Sequence, residues 1–130
     1  MIRAFQPSDA VRAREIFEAN HLPENCFPDL NDPLFLVKAV VEQDGKPVIT
    51  SFLRGTSEVF VLVDHTHGTP EQRWAWMQEL TEHMKQEAYR LGLDEMTCWV
   101  PPALDKSFGR RLIELGFQRS PWQSYTLAVE

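Results

Sequence analysis

Apolar residues along the chain alternate between strand-like runs and helical stripes, and their order predicts the architecture. Ile2–Phe5 reads as a short strand, followed by a helix in which Ala10, Ala13, Ile16 and Phe17 recur at helical spacing. Ser8 or Asp9 can cap that helix. His21–Pro33 carries Pro23, Pro28 and Pro33 with Asn25, Asn31 and Asp32, so it reads as an irregular connection of the kind that often covers a site. Leu34–Val41 and Pro47–Leu53 flank Asp44-Gly45, a dipeptide suited to a tight hairpin turn. Val59–Val63 is continuously apolar, the pattern of a strand covered on both faces in the middle of a sheet.

Thr69-Pro70-Glu71-Gln72 has the form of a capping box with proline at the first helical position. Trp74, Met77, Leu80, Met84, Ala88 and Leu91 share one face of the helix that follows, with Glu79, Glu82 and Gln86 opposite and Gly92 as its left-handed cap. Glu95–Val100 reads as a strand stopped by Pro101-Pro102. Leu104, Phe108, Leu112 and Leu115 then space a shorter helix closed by Gly116, with Phe117 packing back. Gln123–Val129 reads as a final strand. The predicted fold is one α/β domain over residues 1–130, with a mixed, mostly antiparallel sheet and the order β-α-β-β-β-α-β-α-β. The unit from Val59 to Val100 is expected to be a right-handed parallel crossover.

Composition narrows the function classes. The chain has 130 residues, and 13 basic against 19 acidic side chains give a formal charge of −6. Such a surface repels phosphate backbones, and no basic patch offsets it, so nucleic-acid binding is not expected. No apolar run approaches the ~18 residues of a membrane span, and MIRAFQPSD lacks the apolar core of a signal peptide. A soluble cytoplasmic protein without a membrane partner is the expectation. Cys26 and Cys98 are then expected as free thiols, Cys98 as a small buried hydrophobe and Cys26 in a polar loop.

The element order, the apolar strand before a long helix, the opening IRAFQPSDAVRAREIF and the near-terminal RRLIELGF together resemble the GNAT acyltransferase superfamily. The likeness spans nearly the whole chain. It implies acetyl-CoA or another acyl-CoA as cofactor, with the pantetheine arm along the backbone of Val61, Leu62 and Val63. It also implies a pyrophosphate held by the loop and helix start around His67, Gly68, Thr69 and Arg73. A helix N-terminus suits an anion because its N–H groups are unpaired and its dipole end is positive.

The loop departs from the family pattern of Gln/Arg-x-x-Gly-x-Gly/Ala. In one register only Gly68 matches a glycine; in the other Gly68 replaces the Gln/Arg donor, and Glu71 and Arg73 replace the small residues. Glu71 brings a negative charge to the first turn, where ~4 Å from a phosphate it would repel by roughly 4 kcal/mol at an effective dielectric of 20. Leu112 occupies the position of the family's usual tyrosine acid, leaving Tyr125 or Tyr89 as substitutes.

Glu58, at the head of the apolar strand, reads either as the carboxylate base the resemblance implies or as a solvated turn residue. Asp64, His65 and His67 form a D-H-x-H cluster after that strand, open to use as metal ligands, as a general base through His65, or as a polar loop edge. No third ligand stands at metal-binding spacing, so no metal site is predicted. Trp76 lies off the core stripe and reads as covering a second buried face or a contact in a homodimer. Arg110 and Arg111 fall in the last turns of their helix, where cations favour the dipole. Two functions follow as expectations. One is an acyl-CoA-dependent N-acyltransferase acting on a small or protein amine, using Glu58, His65 and Tyr125, with the oxyanion held near Val63. The other is a GNAT-fold ligand-binding or protein-interaction module that has lost catalysis.

Overall fold

The Asp44-Gly45 pair folds as its residue types dictate. Both take positive φ, 51° and 81°, the requirement of a two-residue type I′ hairpin turn. In the computed structural model, which describes residues 1–129, this turn joins β2 (Phe35–Gln43) to β3 (Lys46–Arg54) as an antiparallel pair. β1 (Ile2–Ala4) pairs antiparallel with the other edge of β2, giving the order β1-β2-β3. The protein is thus a mixed α/β chain, and it divides into two compact units, Met1–Thr56 and a second that begins at Ser57.

The first unit packs one face of the hairpin sheet under α1 (Ala10–Ala19). Val40 on β2, Ala13 on α1 and Pro47 on β3 are buried in this unit, and Arg12 Nε donates to the Pro47 carbonyl at 3.0 Å. Phe52 receives the edge of Phe5 at 5.4 Å and lies 5.6 Å from Phe35, which ties both ends of the sheet to β3. The opposite face exposes Val37, Ile49 and Leu53.

Asp9 caps the 3-10 turn Pro7–Asp9 that leads into α1, rather than α1 itself, and shares its carboxylate with an ion pair. Asp9 makes no side-chain cap to α1; its carboxylate accepts from the Arg3 guanidinium at 2.8 and 3.0 Å and from the Gln6 amide at 2.7 Å. Arg3 also reaches Glu42 at 3.0 Å. A charged, two-pronged donor competes better for a carboxylate than one helix-end amide does. Arg3, with the Gln6 amide assisting, holds the Asp9 carboxyl down to about 2. Asp9 therefore stabilises the fold fully above the unfolded carboxylate value of about 3.9, and that contribution is lost as pH falls from there through about 2. The Gln6 amide proton should accordingly titrate in an NMR pH series with a midpoint near 2; a midpoint near 4 would contradict the pairing.

Helix ends in the second unit follow the sequence closely. α2 (Pro70–Arg90) opens on the capping box: the Thr69 hydroxyl accepts from the Gln72 amide at 3.1 Å, and the Gln72 side chain accepts from the Thr69 amide at 2.8 Å. At its other end Gly92 takes φ 80°, with Gly92 N–H donating to Tyr89 and Leu93 N–H to Ala88, a Schellman ending. α3 (Arg110–Glu114) ends in the same way on Gly116 (φ 100°), with Phe117 N–H donating to the Leu112 carbonyl. The predicted shorter helix is shorter still, because residues 102–109 wind as a 3-10 turn and a π-type turn. Arg111 stacks on Trp74 at 5.1 Å and pairs with Glu114, which accounts for it structurally.

Three expected strands do not form as such. Val59–Val63 and Glu95–Val100 meet only at a parallel bridge between Glu58 and Thr97, and Gln123–Val129 has no regular structure. The bridge has the parallel sense of the predicted crossover. A strand is held by neighbours remote in sequence, and among the described residues these segments find one bridge or none. The expected burial of Val59–Val63 on both faces is likewise corrected: Val59, Val61 and Val63 are half-buried, while Phe60 is 82% and Leu62 100% exposed. Val59 and Val61 line a hollow with Met77, Leu80 and Met84 of α2.

Candidate functional site

The site grows from the Glu58–Thr97 bridge. Val59 N–H donates to the Thr97 carbonyl at 2.9 Å and Thr97 N–H to the Ser57 carbonyl at 3.0 Å. Beyond that point the two segments run without further pairing among the described residues. Glu58 sits at the fork, where its Oε1 accepts the Trp99 indole N–H at 2.7 Å. That bond fixes one oxygen and leaves the exposed carboxylate acceptor capacity on the other.

The loop after Val63 is held by its own side chains. Asp64 Oδ1 accepts from the Thr66 hydroxyl at 2.6 Å and the Thr66 amide at 2.9 Å. These two bonds, the hydroxyl first, hold the Asp64 carboxyl below the ordinary carboxylate range. Asp64 thus closes a turn, and exposed His65 stands on it. His67 leaves the cluster by another route, stacking on Trp76 at 6.1 Å. Among the described residues no group of three or more His, Cys, Asp or Glu could hold a metal.

Trp76 explains the one glycine of this loop. Gly68 takes φ 72°, and a Cβ there would meet the Trp76 ring at 2.8 Å. The backbone therefore needs glycine for both its dihedral and its close approach to the indole. Trp76 lies against the loop at Gly68 and His67 while remaining 46% exposed. Arg73 points at the same loop, donating to the carbonyls of Gly68 at 2.7 Å and His67 at 3.2 Å.

The amides that open α2 are largely occupied. Thr69 N–H goes to Gln72, Gln72 N–H goes to Thr69, Arg73 N–H goes to the Thr69 carbonyl, and Pro70 has none. This leaves the amides of Gly68, in the preceding loop, and of Glu71, an acidic residue in the first turn. Two features that favour a helix, the capping box and the proline, are the ones that remove donors from an anion.

Two hollows flank these elements within the second unit. A groove of about 300 Å³ beside the loop is lined by Leu62, Val63, Asp64, His67, Arg73 and Trp76, with Met77 and Leu80 at its side. It collects four of the predicted cofactor residues: Leu62, Val63, His67 and Arg73. Gly68 and Thr69 lie on the adjoining loop and helix start, and Val61 faces elsewhere. It lines a cleft of about 240 Å³ under α2, with Val59, Met77, Met84, Cys98 and Leu112 among its walls. Tyr125 is 92% and Tyr89 84% exposed, and neither lines the groove or the cleft. Leu112, at the position the resemblance gives to an acid, is 6% exposed and packs in the cleft wall.

Sequence reasoning missed one residue, Trp99, and the apolar cleft. Trp99 fixes Glu58, and only the bridge, a contact remote in sequence, places it there. The apolar cleft has a visible signal, because the stripe Met77-Leu80-Met84 and the alternate residues Val59 and Val61 make its opposite walls. No family model matches the chain, and no curated protein or solved structure matches it.

Proposed function

We propose that the chain is a ligand-binding module related to the GNAT fold that does not transfer acyl groups. The observation that carries this reading is the closed helix start. Thr69, Pro70 and Gln72 leave almost no amide for a diphosphate, and Glu71 adds a like charge. Leu112, at the position the resemblance gives to the acid, carries no acidic hydrogen, which agrees with this reading. The groove and the apolar cleft, each with one wall on α2, are the two hollows in which this reading places a ligand.

A specific observation favours a second reading, the acyl-CoA-dependent N-acyltransferase acting on an amine. The parallel segments pair at one bridge and then separate, with Glu58 at the fork, and Leu62, Val63, His67 and Arg73 line one groove. In that reading Glu58 or His65 would deprotonate the amine.

A thermal-shift titration of the full chain with CoA and acetyl-CoA separates the two. A ligand present at 100 times its Kd stabilises by about 2.7 kcal/mol. The ligand-binding reading predicts no rise in melting temperature at millimolar cofactor. A saturable rise with either compound would overturn the closed helix start on which this reading rests and return support to the transferase.

A further inference from the structure

We infer that the cleft under α2 is a binding site for a small uncharged apolar molecule, an alkyl chain or ring of about ten non-hydrogen atoms. The inference rests on the ligand-binding reading above and adds the ligand's chemistry.

The size follows from volume. A dry apolar cavity of about 150 Å³ accommodates benzene with its six carbons, and this cleft measures about 240 Å³. The same ratio of volume to atoms gives about ten. The chemistry follows from the walls. Val59, Val61, Leu80, Leu112, Leu115 and Phe117 supply aliphatic and aromatic surface from α2, α3 and the bridge segments. Met77, Met84 and Met96 line it as well, and unbranched thioethers reshape readily around varied apolar guests. The lining contains no charged side chain; Thr81 and Cys98 are its polar side chains. A charge carried inside would therefore lose its hydration without a partner. One hydroxyl on the guest can be met by Thr81. Burial raises the Cys98 thiol above its usual value, in keeping with apolar surroundings.

The test uses 1-octanol as probe and the intact chain. Octanol should raise the melting temperature saturably, and 1-butanol at equal concentration should raise it less. Leu115→Phe, which fills the cleft from one wall, should abolish the octanol shift. An octanol effect that is absent, destabilising, or equal in Leu115→Phe would overturn the inference. Should Leu115→Phe fail to fold, labelling of Cys98 by N-ethylmaleimide in Cys26→Ser decides the matter. Octanol at ten times its half-saturating concentration should slow labelling about tenfold, because only unoccupied protein reacts. An unchanged labelling rate would overturn the inference. Failure here leaves the coenzyme A result standing, because the two experiments use different ligands and different residues.

Discussion

Leu112→Ala should destabilise the second unit by about 3–5 kcal/mol, among the larger effects of a single truncation. Leu112 is 6% exposed and is the buried apolar residue of that unit. It sits in a helix of five residues whose terminal turn is anchored by the Phe117 N–H on the Leu112 carbonyl. Its side chain borders the 240 Å³ cleft, so the space vacated joins an existing hollow that the neighbours already fail to fill. Truncation costs rise with the volume left empty, which places this site in the upper part of the range for Leu→Ala. The effect is directly readable, because Trp74, Trp76, Trp99 and Trp122 all lie after Ser57. Tryptophan fluorescence during denaturant unfolding therefore reports this unit alone. A loss under 1 kcal/mol would mean that Leu112 is not part of a packed wall.

Phe52→Ala should cost the first unit about 3 kcal/mol. Phe52 is the shared partner of Phe5 and Phe35, so its removal breaks two aromatic contacts at once. Each such pair adds about 0.5–1.5 kcal/mol beyond the area it buries. The half-exposed edge of the ring moderates the loss relative to a fully buried phenylalanine. No tryptophan or tyrosine lies before Thr56, so amide hydrogen exchange at Val40 and Thr50 is the suitable readout. A loss of this size should speed their exchange by roughly a hundredfold where exchange requires global opening. Exchange within threefold of the parent would show that the three rings do not act together.

Features decided by neighbouring residues were legible in the sequence. Asp44-Gly45 gives the hairpin, Thr69 to Gln72 the start of α2, and Gly92 and Gly116 the ends of α2 and α3; each rests on chemistry within a few positions. Features decided by distant partners were not. Val59–Val63 has every local mark of a central strand, yet the one described bridge lies at its head, between Glu58 and Thr97, 39 positions on. Ser8 and Asp9 looked like caps of α1, yet the Asp9 carboxylate caps the turn before it and is shared with Arg3, in another element. The same division holds in the site. Leu62, Val63, His67 and Arg73 do gather at one groove, because they flank a single strand-to-helix turn. Trp76 on the loop and Trp99 on Glu58 depend on approach across the unit, which residue order does not encode.

The account turns on whether the first turn of α2 still has amides to offer. An NMR titration of the full chain with CoA, following the amides of Gly68, Thr69, Glu71 and Gln72, addresses this at the atoms concerned. Because Thr69 and Gln72 cap each other, their amide signals should stay in place through millimolar CoA. Saturable shifts centred on these amides would show that the cap opens to hold a diphosphate, and the non-transferring reading would have to be abandoned.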